Sequence, residues 1–292
     1  MTASTIPVVP AGTTDHVFTT SDGAEIPFRV KGTGPSLVMI PGWSQSGAMF
    51  AHQLAGLSDR FRVIVPDIRG QGAAAPPPGG LRMARLAVDL AELIAHLELD
   101  RPNLLGWSMG ASVLWAYVDQ FGTGAVERLV FVDQPASLMI AQDMDEEDRI
   151  SAGAMFTFPG LDQLCADLRG AGGEGTRAAF VEGMVTRTIP ADLLAWIKAE
   201  NAQTPTGIAA ALLASHCMQD WRDVLPRIDR PSLVIGGAVS HVDPRSQRAI
   251  HACIAGSRYH EFGAEEGGAH YPFLEAPAAF NRVVAEFLAG AA

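Results

Sequence analysis

Short, nearly continuous apolar runs separated by helix-length stretches constrain this chain more than any other feature. Residues 36–40 (SLVMI), 62–65 (RVIV), 103–105 (NLL), 129–132 (LVFV) and 232–235 (SLVI) show no alternation of apolar and polar residues. That is the pattern of strands covered on both faces, as in a parallel sheet. Between them, residues 83–97 carry Leu86, Leu90, Leu93, Ile94 and Leu97 at helical spacing, and residues 110–120 read as another helix. A shorter strand is expected at 258–262, and a closing helix at 277–288 with Pro277 in its first turn. Residues 16–30, with Ser21-Asp22-Gly23 in the middle, read as an antiparallel hairpin on the sheet edge. Alternation of this kind predicts an α/β fold, a mostly parallel sheet flanked by crossover helices.

The stretch from 137 to 225 breaks the pattern. It holds helical segments at 161–168, 177–184, 191–200 and 207–216, interrupted by Gly172-Gly173-Glu174-Gly175, Pro190 and Pro205, and it offers no strand. It follows a strand of the first half and precedes one of the second, so it reads as a helical cap inserted into the core. The expected division is core 1–136, cap 137–225 and core again 226–292. Residues 73–80 (AAAPPPGG) read as a stiff loop.

Composition narrows the function classes. At 292 residues and 48% hydrophobic, the chain can fill a sizeable core, which excludes intrinsic disorder and a disulfide scaffold. Lys and Arg number 21 against 32 Asp and Glu, a net charge of -11 with no basic stripe, so a nucleic-acid partner is not expected. Cys165, Cys217 and Cys253 have neither pairing nor metal-ligand spacing and read as buried or semi-buried free thiols of a reducing compartment. The first residues show no secretory pattern, and no apolar stretch approaches the roughly 18 residues of a membrane span. The expectation is a cytoplasmic protein, monomer or homo-oligomer, acting on a small molecule away from the membrane.

Three strand ends carry the chemistry. Gly106-Trp107-Ser108-Met109-Gly110 follows the strand at 103–105 and precedes a helix. Two glycines permit a tight strand-to-helix turn that presents Ser108 as a nucleophile at a helix N-terminus, where developing negative charge is favoured. An acyl-transfer serine needs two N–H donors for its oxyanion. Met109, next in sequence, would supply one, and Trp43, after Pro41-Gly42 at the end of the strand at 36–40, the other. A serine also needs an imidazole to take its proton. Of the eight histidines, His270 in the Gly267-Gly268-Ala269-His270 loop combines the right chain order with a position after a late strand. The acid that orients it could be Asp133, ending the strand at 129–132, or Asp243, in the loop after the strand at 232–235. The acidic run at 143–148 reads as a solvated face.

With PGWSQSG at 41–47, PDIRGQG at 66–72, GWSMG at 106–110, FVDQP at 131–135 and GGAH followed by PFLEAP up to Pro277, the chain resembles the α/β-hydrolase superfamily. The resemblance covers about residues 16–290 and is nearest to the capped, haloperoxidase-like branch. It implies an α/β-hydrolase fold, a Ser-His-acid triad and ester or related acyl hydrolysis. Two departures stand out. The loop before the first oxyanion donor usually begins His-Gly and here begins Pro41-Gly42. The usual acid position, judged from Pro244, falls on Ser240, and some members carry the acid after the preceding strand, which implies Asp133 with Asp243 as the alternative.

The expected activity is hydrolysis of an ester, lactone or thioester of a small-to-medium apolar substrate, with no metal or organic cofactor. Trp107, Gln134, Ser44, Met155, Phe156 and Trp196 are the expected substrate-binding residues. Rival readings are a cofactor-free ring-cleaving dioxygenase, a C–C bond hydrolase, and a non-catalytic receptor on the same fold.

Overall fold

The computed structural model describes residues 6–290. Its strands are β1 (Thr14–Thr19), β2 (Glu25–Lys31), β3 (Ser36–Ile40), β4 (Arg62–Pro66), β5 (Asn103–Trp107), β6 (Leu129–Val132), β7 (Ser232–Gly237) and β8 (Arg258–Phe262). They form one sheet in the order β1-β2-β4-β3-β5-β6-β7-β8. β2 is antiparallel to both β1 and β4, and the remaining neighbours are parallel.

The lack of polar alternation in the strands has a direct cause. Val38 and Ile40 of β3 belong to a hydrophobic cluster on one face of the sheet, and Leu37 and Met39 to a second cluster. Each side chain so buried is worth about 1.5–3 kcal/mol. From Leu37 to Ile40 both faces of β3 are therefore apolar.

The helices are α1 (Ala51–Leu57), α2 (Met83–His96), α3 (Met109–Phe121), α4 (Glu146–Ala152), α5 (Phe158–Arg169), α6 (Gly173–Glu182), α7 (Ala191–Ala202), α8 (Thr206–Cys217), α9 (Pro244–Cys253), α10 (Pro272–Glu275) and α11 (Pro277–Leu288). α4 to α8 all lie between β6 and β7. Isolated bridges Ser137↔Asp220 and Met139↔Phe156 tie that segment together near the sheet.

Some local details differ from the sequence expectations. The break marked by the glycine run at 172–175 falls slightly earlier, between the end of α5 at Arg169 and the start of α6 at Gly173, so most of the run lies inside α6. A Cβ at Gly173 would lie 2.0 Å from the Leu168 carbonyl oxygen, so glycine is required for the close turn. Helix α9 had no counterpart in the periodicity; Asp243 caps it and Pro244 fills its first position. Cys165 and Cys217 are buried, while Cys253 is exposed. No helix among the described residues is long and apolar enough to cross a membrane.

The chain reverses direction across the sheet at β3, with β4 on one side and β5 on the other. In open α/β sheets, ligands bind beyond the carboxyl ends of the strands at such a switch point. The loops leaving β3 and β5 begin at Pro41 and Ser108, which draws both motifs to one place.

Candidate active site

Ser108 has φ 54° and ψ −128° between β5 and α3, a strained conformation for a residue with a side chain. The two flanking glycines make the turn possible. A Cβ at Gly106 would lie 2.4 Å from the Gly110 carbonyl oxygen, and one at Gly110 would lie 2.2 Å from that of Ile40. The Ser108 N–H donates to the Val132 carbonyl at 2.9 Å, anchoring the turn on β6. Met109 opens α3, so its N–H has no acceptor within its own helix.

Asp133 has the same kind of backbone strain, with φ 51°, directly after β6. Its buried carboxylate accepts from His270 Nδ1 at 2.6 Å and from Ser240 Oγ at 2.5 Å through Oδ2. The Gly237 N–H donates to Oδ1 at 3.3 Å. Burial pushes the Asp133 carboxyl upward, and the hydrogen bonds from Ser240 and Gly237 oppose that shift. Burial drives His270 the other way, toward its neutral form. The imidazole main chain is held at both ends. Its N–H donates to the Met184 carbonyl at 3.0 Å, and its carbonyl accepts the Trp107 indole N–H at 2.8 Å.

Asp243 stands elsewhere. Besides capping α9, its carboxylate pairs with the Arg245 guanidinium at 2.6 Å on the surface. The structure thus brings together Ser108, His270 and Asp133 and leaves Asp243 out. Ser240, at the position where the superfamily usually has its acid, instead donates to the Asp133 carboxylate. The loop after β7 therefore still serves the imidazole, through one intermediate side chain.

The loop after β3 is held by a residue the sequence reading passed over. Gln71 is fully buried; its Oε1 accepts the Ser44 N–H at 2.6 Å. Its Nε2 donates to the carbonyls of Gly42 and Gln45 at 3.1 and 3.2 Å. Ser44 is thereby kept at φ 55°. Gly42 sits against the serine: a Cβ there would come 3.0 Å from Ser108 Cβ. Neither the Trp43 nor the Met109 N–H takes part in a backbone hydrogen bond among the described residues, which leaves both free for an oxyanion.

Ser108 and His270 both border one cavity. Its walls include Trp43, Trp107, Leu138, Met155, Phe156, Phe180, Val181 and Met184, with Gln134, Asn201, His216 and His241 as polar interruptions. His241 packs edge-on against His270, ring centroids 4.5 Å apart. Burial holds both His216 and His241 at about 3. Among the described residues, no cluster of three or more His, Cys, Asp or Glu side chains could hold a metal ion.

A profile of the alpha/beta hydrolase fold matches residues 35–277, most of the chain. The chain belongs to the α/β-hydrolase family. It is 29% identical to a non-heme chloroperoxidase of Streptomyces lividans over 246 residues, 79% of this chain and 84% of that protein. Among solved structures, the esterase EaEST from Exiguobacterium antarcticum superposes with a TM-score of 0.84 at 25% identity, covering 93% of this chain and 98% of the other. The enol-lactonase from Burkholderia xenovorans LB400 superposes with a TM-score of 0.77 at 25% identity, covering 91% and 97%. The resemblance to the haloperoxidase-like branch and the α/β fold class are both upheld.

The pocket of this α/β-hydrolase corrects two sequence expectations. Ser44 does not line the cavity: its hydroxyl donates to the Asn201 carbonyl at 3.1 Å and accepts from Arg177 at 3.2 Å, bridging the β3 loop to the helical segment. Trp196 does not line it either; it is only partly buried and packs against the hydrophobic cluster that contains Leu193 and Ile197. Trp107, Gln134, Met155 and Phe156 do border the cavity. Asn201, His216 and His241 were not singled out as pocket residues. An isolated polar residue in or after a helix has no local signal that separates a cavity wall from a solvated surface.

Proposed function

We propose that this α/β-hydrolase cleaves a carboxylic ester, lactone or thioester through an acyl-enzyme on Ser108. His270 takes the serine proton through Nε2 as Oγ attacks the acyl carbon. Asp133 holds the imidazole by Nδ1 and offsets its charge while it is protonated. The Trp43 and Met109 N–H groups receive the oxyanion. His270 then passes its proton to the departing alcohol or thiol, and the ester carbon remains on Ser108. Water, deprotonated by the same imidazole, attacks this acyl-enzyme and releases the acid and the serine.

The observation that carries this reading is the 2.6 Å contact between His270 Nδ1 and Asp133, with the strained Ser108 turn bordering the same cavity. The apolar walls support a substrate with a hydrocarbon portion, and we read residues 137–225 as the cap that supplies most of them. Esterase and lactonase neighbours support the same reaction class.

The test is intact mass after incubation with a fluorophosphonate probe. Wild type is expected to gain one adduct, Ser108→Ala none, and Asp133→Asn to label far more slowly than Asp243→Asn. An unlabelled wild type, or a labelled Ser108→Ala protein, overturns the proposal. Oxygen uptake with quinolone-type substrates would then favour the dioxygenase reading.

A further inference from the structure

Asn201, near the end of α7, and His216, near the end of α8, border the cavity from the helical segment. Each is more than nine-tenths buried, at 3% and 5% exposure. Neither side chain has a hydrogen-bond partner among the described residues: the Asn201 contact to Ser44 uses its main-chain carbonyl, and His216 Nδ1 is sealed from water and unpaired. A buried polar group left without a partner costs free energy, so such groups are rare and call for an occupant. His241 Nδ1, on the wall beside His270, is likewise sealed and unpaired, so this cavity gathers several polar side chains without a protein partner.

We propose that Asn201 and His216 form a recognition site for a neutral oxygen function of the substrate, a ketone carbonyl or hydroxyl set apart from the bond that is cleaved. This deepens the hydrolase reading and rests on it. The amide of Asn201 offers two N–H donors and a carbonyl acceptor, and a neutral imidazole offers one donor and one acceptor. Together they can donate to a ketone or exchange hydrogen bonds with a hydroxyl. Among the described residues no Asp, Glu, Lys or Arg lines the cavity, so an ionised group there would find no opposite charge. The substrate class is therefore an ester or lactone whose hydrocarbon portion carries an uncharged oxygen.

The test compares 4-nitrophenyl heptanoate with its 4-, 5- and 6-oxo derivatives, with the matching ω-carboxylate ester, and with phenyl acetates carrying the ketone on the phenol. Wild type is expected to favour one keto position over the plain ester by about tenfold in kcat/KM, the ratio typical of one well-made hydrogen bond to a buried group. His216→Leu and Asn201→Leu should each bring that ratio close to one, while His216→Gln keeps part of it. Melting temperatures of the two leucine variants should hold or rise, because an unpaired buried polar group is removed; a purely structural role predicts a fall.

Equal rates at every keto position overturn the proposal, as does a preference that survives both leucine substitutions or a faster carboxylate ester. Uncleavable 4-nitrophenyl ethers of the same chains, followed by tryptophan quenching, separate this failure from that of the hydrolase reading. If no ester is cleaved and the fluorophosphonate does not label, the hydrolase reading falls. Tighter binding of a keto ether, lost in both leucine variants, then still upholds the recognition site, and equal binding removes it.

Discussion

The strand ends and the helical segment between β6 and β7 solve different problems with different means. At the strand ends, main-chain strain and buried hydrogen bonds hold each reacting group. Ser44, Ser108 and Asp133 all have positive φ, at 55°, 54° and 51°, and each is fixed by bonds reaching another strand or loop. The helical segment faces the same cavity with side chains that are buried and yet unpaired. The Asn201 and His216 side chains have no hydrogen-bond partners among the described residues, and Arg177 is a buried cation satisfied by the Ser44 hydroxyl and the carbonyls of Thr204 and Ala202 rather than by a carboxylate. Rigid positioning on the sheet suits chemistry, whose geometry is common to many substrates. Unfilled polar capacity on the helices suits recognition, which differs between them.

The contrast can be broken most sharply at the serine. Ser108→Ala should lower kcat on any cleaved ester by about 10⁴-fold or more, while circular dichroism and melting temperature stay near wild type because alanine keeps the Cβ and the same turn, and the Ser108 side chain makes no capping hydrogen bond. Asp133→Asn should cost on the order of 10³–10⁴-fold in kcat. Asp243→Asn should leave kcat/KM unchanged and cost at most about 1 kcal/mol through the weakened α9 cap. A larger kinetic effect at Asp243 than at Asp133 would invert the assignment of the acid.

Gln71→Leu probes the same rigid region without touching the reacting groups. Losing the three hydrogen bonds that shape the β3 loop should lower kcat by roughly 10–100-fold with a smaller change in KM. The measurement is steady-state kinetics on a 4-nitrophenyl ester, and an equal loss from KM alone would mean that Gln71 serves binding instead.

The last test lies on the helical side and is read by pH. Burial lowers His216 to about 3 from its ordinary 6.5, so between those values the unfolded chain binds a proton that the folded chain does not. Above pH 6.5 His216 therefore adds no pH dependence, and stability falls as pH drops from 6.5 toward 3 because the unfolded chain takes up the proton. Asp133, raised in the folded state, favours the fold below its shifted value and opposes this trend, but it does so equally in wild type and variant. Urea denaturation of His216→Leu against wild type should differ in slope by up to about 1.4 kcal/mol per pH unit, the wild type being the steeper. Equal slopes would mean that His216 is not buried in its neutral form.

Much of this was legible before any coordinates. The strands at 36–40, 129–132 and 258–262 coincide with the structure, as does the closing helix at 277–288, because a strand buried on both faces and an amphipathic helix are each written in a few consecutive residues. The Ser108 turn was equally local, two glycines one residue away on each side. The dipeptide Asp243-Pro244 was a helix start of the N-cap and first-turn proline kind, and reading it so removes Asp243 from contention as an acid.

What the chain could not declare locally was decided by contacts across long separations. Asp133 and His270 are 137 positions apart, and they meet because β6 lies between β5 and β7 while the loop after β7 turns Ser240 back onto the carboxylate. Ser44 and Trp196 have the size and chemistry of pocket residues, and only the packing of α7 against the β3 loop directs them elsewhere. His216 and Asn201 reach the cavity through the tertiary path of α7 and α8, not through any spacing along them. Consecutive residues specify strands, turns and caps because those depend on local backbone sterics and hydrophobic period. Which side chains share a cavity depends on how whole elements pack, and that is a property of the folded chain alone.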